Sequence, residues 1–194
     1  MTRPIAVAIT GGIGAGKSEA LAAFARRGAA TVSSDDIVHE LLRRDEVREA
    51  VRERLGNGVV GPDGQLDRGA IGSVVFDDPE ALAWLEQLLH PLVSAEYLNW
   101  REQLAALDQS PEVCVTEVPL LYEVGADSRF DRVVVITAPE DVRRERSAVA
   151  VDGREQRLLP DAEKVARADY AFLNTGSLEE LEGFVGSVMD DLTR

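Results

Sequence analysis

The chain has 194 residues, 45% of them apolar, enough to bury the core of one domain with room for an inserted subdomain. Its 35 Asp and Glu against 21 Lys and Arg leave a net charge of −14, which argues against a nucleic-acid surface and requires any anionic ligand to be met locally. A single cysteine in an apolar run, no cleavable leader and no uncharged run near the ~18 residues that cross a bilayer predict a cytoplasmic protein in a reducing compartment; a monomer is the expected state, without a sequence feature that specifies it.

The first element is an apolar strand that breaks at Thr10 into the glycine-rich run Gly11, Gly12, Ile13, Gly14, Ala15, Gly16, and closes on Lys17 and Ser18. This is the pattern of a phosphate-binding P-loop. Converging backbone N–H groups hold phosphate oxygens best, and residues without a Cβ allow so tight a curl. Gly16, Lys17 and Ser18 open the next helix, whose positive end faces the anion. Lys17 reaches the β and γ phosphates and Ser18 is placed to hold Mg²⁺.

Further apolar runs predict strands at Ala30–Ser33, Glu112–Val118, Arg132–Thr137 and Tyr170–Leu173, alternating with helices. Strands buried on both faces imply a parallel sheet between helical layers. Between about 43 and 107 no such strand occurs. Helices there are interrupted by GNGVVGPDG and by His90-Pro91, and Val93, Tyr97, Trp100, Leu104 and Leu107 line one side of the last of them, which predicts an inserted helical subdomain. Residues 147–160 carry Arg154 and Arg157 among polar neighbours and read as a surface loop. The final helix has the stripe Leu178, Leu181, Val185, Val188, Leu192 and a Ser177/Glu180 capping box.

Phosphoryl transfer needs a carboxylate near the acceptor hydroxyl, cations on the transferring group and metal coordination. Asp35 follows the second strand at the carboxyl edge of the sheet, where open α/β proteins place their sites. Its competing role is to cap, with Ser34, the helix through Ile37 and Leu41, and spacing leaves the two even. Glu117, closing the third strand, is placed to bind metal-coordinated water across from Ser18, or is a polar strand end. Glu123 has less support from spacing. Arg143, Arg144 and Arg146 share a helix opened by a Thr137/Glu140 capping box, and one of them is placed to face the phosphates. His39 and His90 are too far apart, with no Cys or His beside them, to form a zinc site.

Together the segments TGGIGAGKS (10–18), SSDDIVHEL (33–41), LDRGAIGSVVF (66–76), LEQLLHPLV (85–93), EVPLLYE (117–123) and EKVARADYAFLNTGS (163–177) resemble the dephospho-coenzyme A kinase family over nearly the whole chain. The resemblance implies an α/β P-loop NTPase fold of the nucleoside-monophosphate-kinase type. Its five-stranded parallel sheet would be flanked by helices, with a helical substrate subdomain and a short lid. The implied reaction is transfer of the γ-phosphate of ATP, with Mg²⁺, to the ribose 3′-hydroxyl of dephospho-CoA. Asp35 then falls on the family's base. Thr10, Arg68, His90, Leu121, Tyr122 and Glu123 fall on the acceptor side, and Asn174 and Gly176 on the segment that approaches the adenine. Arg146, Arg154 and Arg157 are the implied phosphate clamp of the lid.

The chain departs from the family pattern in three places and in the lid. Ser33 stands for an Asp, Glu117 for an Asp, and Glu19 for a Thr, while the lid is several residues short, with Leu158 near a position where Gln is common. The alternatives are a kinase of the same fold for another small metabolite and a nucleotide-binding regulator without catalysis.

Overall fold

The computed structural model describes residues 3–146 and 158–194. Five strands, β1 (Ile5–Thr10), β2 (Ala30–Ser33), β3 (Val113–Glu117), β4 (Arg132–Thr137) and β5 (Tyr170–Leu173), form one parallel sheet in the order β2-β3-β1-β4-β5. Helices α1 (Lys17–Arg26), α2 (Ser34–Arg43), α3 (Asp45–Leu55), α4 (Arg68–Asp77), α5 (Pro79–Ala105), α6 (Glu140–Arg146), α7 (Asp161–Arg167) and α8 (Leu178–Leu192) follow in chain order. β1 lies central in the sheet, with Ile9 beside Glu117 of β3 and Thr10 beside Val135 of β4.

Strand alternation explains the two covered faces. Val7 and Ile9 of β1 and Val134 and Ile136 of β4 join Ala20, Ala23 and Phe24 of α1 and Leu181, Val185 and Val188 of α8 in one cluster. The intervening Ala8, Val133 and Val135 pack on the opposite face with Leu121, Tyr122 and Ala126. Phe24 is fully buried, and removing its ring would cost about 3–5 kcal/mol. On α8, Phe184 stacks on Phe172 of β5, with ring centroids 5.0 Å apart. Leu178 shares the apolar stripe but, at the first position of α8, is 62% exposed, while Leu181 one turn on is buried.

The described residues form two compact units. One comprises the described parts of Met1–Ser34 and Arg101–Arg194, and the other is Asp35–Trp100. In the second unit, Asp67 caps α4 by accepting hydrogen bonds from the N–H groups of Gly69 (2.8 Å) and Ala70 (3.0 Å). Val60, in the GNGVVGPDG segment, forms an antiparallel bridge with Leu66, two residues beyond it. No described helix is long and apolar enough to cross a membrane.

Several local expectations are corrected. His90-Pro91 does not divide two helices, because Pro91 lies inside the 27-residue α5. Gln87, whose carbonyl loses its partner at Pro91, is exposed, as is Pro91 itself, so solvent can satisfy the orphaned group. Leu107 lies beyond the end of α5 and is exposed. Thr137 does not cap α6. It belongs to β4, and its hydroxyl donates to the Phe172 carbonyl (3.3 Å). At α8 only half of the capping box forms, since Ser177 Oγ accepts from Glu180 N (3.2 Å) while the Glu180 carboxylate meets the Thr175 hydroxyl.

Candidate functional site

The turn from β1 to α1 requires glycine in two places for different reasons. Gly11 has φ 144° and faces the Ile136 carbonyl so closely that a Cβ would overlap it. Gly16, the residue before α1, has φ 98°, and a Cβ there would strike the Asn174 amide nitrogen. That amide is a strut. Asn174 is 5% exposed, its Nδ2 donates to the Ala15 carbonyl (2.9 Å), and its Oδ1 accepts from Gly176 N (3.1 Å). Asn174 and Gly176 thus fix the far side of the loop.

Lys17 and Ser18 are the first two residues of α1. Lys17 Nζ donates to the Gly12 carbonyl at 3.0 Å, so the ammonium is held across the loop that it closes. Ser18 Oγ donates to Glu117 Oε2 at 3.1 Å. Glu117 is 6% exposed at the end of β3, in register with Ile9 and Ser33, so two strands hold it at the carboxyl edge. A hydroxyl and a carboxylate are the hard oxygen donors that Mg²⁺ takes alongside water and phosphate. Thr10 is fully buried, and its hydroxyl donates to Pro119 O (3.3 Å), which ties the P-loop to the segment after β3.

The arginines of α6 divide. A Cβ on Gly12 would lie 2.7 Å from Arg143 Nη1, and one on Gly14 would lie 2.8 Å from the Arg143 carbonyl oxygen, so Arg143 covers the loop. The Arg146 guanidinium is 3.7 Å from the corresponding point on Gly16 and 3.4 Å from that on Gly176. Arg144 instead forms an exposed pair with Glu140 (2.6 Å). A cavity of ≈ 220 Å³ is lined by Gly12, Arg143, Leu158, Leu159, Pro160 and Asp161. Arg154 and Arg157 lie outside the described residues.

In the segment after β3, Leu121 is 0% exposed, so its side chain belongs to the core. Tyr122 is buried beside it, with the Arg167 guanidinium 4.1 Å from its ring centroid. Burial pushes its phenol up, and the charge of Arg167 opposes that. Glu123 accepts from Leu159 N (2.9 Å) and pairs with Lys164 (2.8 Å), which is completely buried. Burial raises the carboxyl, but the adjacent Lys164 ammonium and the Leu159 N–H outweigh it and hold Glu123 below its ordinary value.

In the other unit, Asp35 is the second residue of α2 and is exposed. Asp36 is exposed as well. Arg68 opens α4, and its Nη1 lies 3.5 Å from His39 Nδ1. His90 is exposed on α5, and among the described residues it makes no hydrogen bond to Arg68.

Reading the sequence missed Lys164, weighed His39 only as a zinc ligand, and did not single out Arg143 from its helix neighbours. Lys164 sits between Glu163 and Val165 in a charged stretch that reads as a solvated face, so nothing in the local pattern marks it.

The model of the dephospho-CoA kinase family matches residues 5–180. A dephospho-CoA kinase of Anaeromyxobacter dehalogenans is 38% identical over 195 residues, covering 96% of this chain and 91% of its own length. A crystal structure of a Thermus thermophilus protein superposes with a TM-score of 0.82 at 34% identity, with both chains fully covered. The dephospho-CoA kinase of Campylobacter jejuni shares the fold, with a TM-score of 0.68 at 22% identity over 98% of each chain. With its P-loop, its sheet order and this family match along most of its length, the chain belongs to the dephospho-CoA kinase family.

Proposed function

We propose that this chain transfers the γ-phosphoryl group of ATP to the ribose 3′-hydroxyl of dephospho-CoA, giving coenzyme A. One observation carries the reading in a member of this family. Lys17, Ser18 and Glu117 converge at the amino end of α1, beneath a loop whose glycines leave room only for backbone. Ser18 and Glu117 would hold Mg²⁺, which when bound offsets the charge of the β and γ phosphates.

The chain's own groups supply the rest. Loop amides and the α1 dipole bind the phosphates, and Lys17 exchanges the Gly12 carbonyl for phosphate oxygens. Arg143 and Arg146, placed beside Gly12 and Gly16, take up charge on the triphosphate, with Arg154 and Arg157 assigned by family likeness to the lid that excludes water. Asp35, two residues after the end of β2, accepts the 3′-hydroxyl proton. Arg68, His90 and the segment from about 43 to 107 serve the acceptor, and Asn174 and Gly176 border the adenine. Thr10, Leu121 and Tyr122 support the acceptor side from the core. On this reading the enzyme is a cytoplasmic monomer that acts on two small molecules and no nucleic acid.

The test is a panel of acceptors, including dephospho-CoA, other nucleotides and sugar acids, incubated with ATP and Mg²⁺ and followed by ADP formation and by ³¹P NMR of the product. A new 3′-phosphomonoester with dephospho-CoA is expected. Turnover confined to another acceptor would replace the reading by that of a sister kinase, and ATP binding without transfer to any acceptor would replace it by that of a regulator.

A further inference from the structure

Glu123 and Lys164 stand 41 positions apart in sequence, and neither touches the P-loop, yet together they hold one wall of the cavity beside it. Glu123 Oε1 accepts from the backbone N–H of Leu159 (2.9 Å) and forms an ion pair with the Lys164 ammonium (2.8 Å). The wall is held from its other end too, because the Pro160 carbonyl accepts from Glu163 N (2.9 Å) and Lys164 N (3.1 Å) at the start of α7. Between these anchors run Leu158, Leu159, Pro160 and Asp161, which face Gly12 and Arg143 across the cavity.

A fully buried ammonium is an expensive way to tie a loop. Among the described residues Lys164 Nζ has Glu123 as its ionic partner, and neither Lys164 Nζ nor Glu123 Oε2 has a hydrogen-bond partner of good geometry. An apolar pair of similar volume would pack the same space at no less stability, but it would leave the Leu159 N–H without an acceptor. What the charged pair adds is a fixed position for Leu159.

We propose that Glu123 and Lys164 are positioning residues for phosphoryl transfer, pinning Leu159 and with it the Leu158–Asp161 wall against the phosphate-binding loop. The proposal rests on the reading of that loop as the nucleotide site. The effect reaches ATP through Arg143 and Gly12, which share the cavity with the pinned wall. Geometry of this kind is steep, since small displacements of groups around a reacting phosphate cost large factors in rate.

The test compares Glu123→Gln with the double variant Glu123→Leu/Lys164→Met. The amide in Glu123→Gln still offers an oxygen to Leu159 N–H but leaves the buried ammonium without a countercharge. The double variant removes both charges and the acceptor. Positioning therefore predicts opposite rankings: thermal stability lower in Glu123→Gln than in the double variant, and kcat/KM for ATP lower in the double variant, on the order of tenfold or more below Glu123→Gln. Activity that follows stability in the same order would overturn the proposal and leave the pair a structural tie. Hydrogen exchange at the Leu159 amide gives a second reading that needs neither a folded variant nor turnover. Strong protection in the unmodified protein is expected, and exchange at the rate of an open loop overturns the proposal. Absence of ATP turnover in the unmodified protein, with Leu159 protected, would count against the kinase reading instead.

Discussion

Ser18 Oγ donates to Glu117 Oε2 at 3.1 Å, joining the first turn of α1 to the end of β3 across 99 positions of sequence. On the proposed reading this pair supplies two hard oxygen donors of the kind Mg²⁺ takes alongside water and phosphate. Both are fixed before any ligand arrives, Ser18 by the helix and Glu117 by the strands on either side of it.

Glu117→Gln keeps the shape and an acceptor for Ser18 but removes the charge. Turnover should fall by about 10–100-fold, with the Mg²⁺ concentration for half-maximal rate raised. Thermal stability should hold or rise, since a buried carboxylate is lost. A Mg²⁺ titration of the rate beside a melting curve checks both. An unchanged Mg²⁺ dependence would assign Glu117 to the strand end alone.

Asp35 is exposed on α2, so Asp35→Asn should leave the fold intact. If the carboxylate accepts the hydroxyl proton, kcat should fall by at least roughly a hundredfold while KM for ATP changes little. Steady-state kinetics with both substrates decides the point, and turnover within twofold of the unmodified enzyme would exclude Asp35 as the base.

The arginines of α6 should separate in the same way. Arg146→Lys keeps the charge beside Gly16 and Gly176 but loses the planar fork, and should lower kcat/KM for ATP by about tenfold. Arg144→Lys, on an exposed pair with Glu140, should be silent. Equal effects of the two would show that the helix acts only through its total charge. Silence of both would turn attention to Arg154 and Arg157.

The depressed carboxyl of Glu123 makes a pH prediction. A group whose folded pKa lies below its unfolded value contributes stability that is complete above the unfolded pKa and is lost as pH falls through the folded one. The melting temperature of the unmodified protein should therefore exceed that of Glu123→Gln at neutral pH. The gap should close on acidification below the ordinary carboxylate range, and a pH series of melting curves checks it. A gap that stays constant into acid would mean that the charge of Glu123 is not what stabilises the fold.

Much of the sheet is legible because its parallel strands read as short runs rich in apolar and β-branched residues between helices, even at the half-buried edges β2 and β5. Those at Ala30–Ser33, Arg132–Thr137 and Tyr170–Leu173 appear at the expected bounds. Helix ends were less legible. Pro91 reads as a break by local rules, but its exposed face lets water replace the missing hydrogen bond. Thr137 and Glu140 have the spacing of a capping box, but the β4 ladder claims Thr137 first.

By itself the sequence determined the phosphate loop. Gly11, Gly16, Lys17 and Ser18 act through backbone conformation and helix polarity, which are set within a dozen residues. It also offered Glu117 as a candidate, with a polar strand end as the alternative, because the residue closes an apolar run at the carboxyl edge of the sheet. Only the tertiary structure decided what each of the remaining polar groups touches. It placed Asn174 against Ala15, Arg143 and Arg146 against the loop, and Lys164 against Glu123. Those contacts join residues far apart in the chain. Local periodicity carries no record of them, and a buried lysine in a charged helix looks no different from a solvated one until the elements around it are packed.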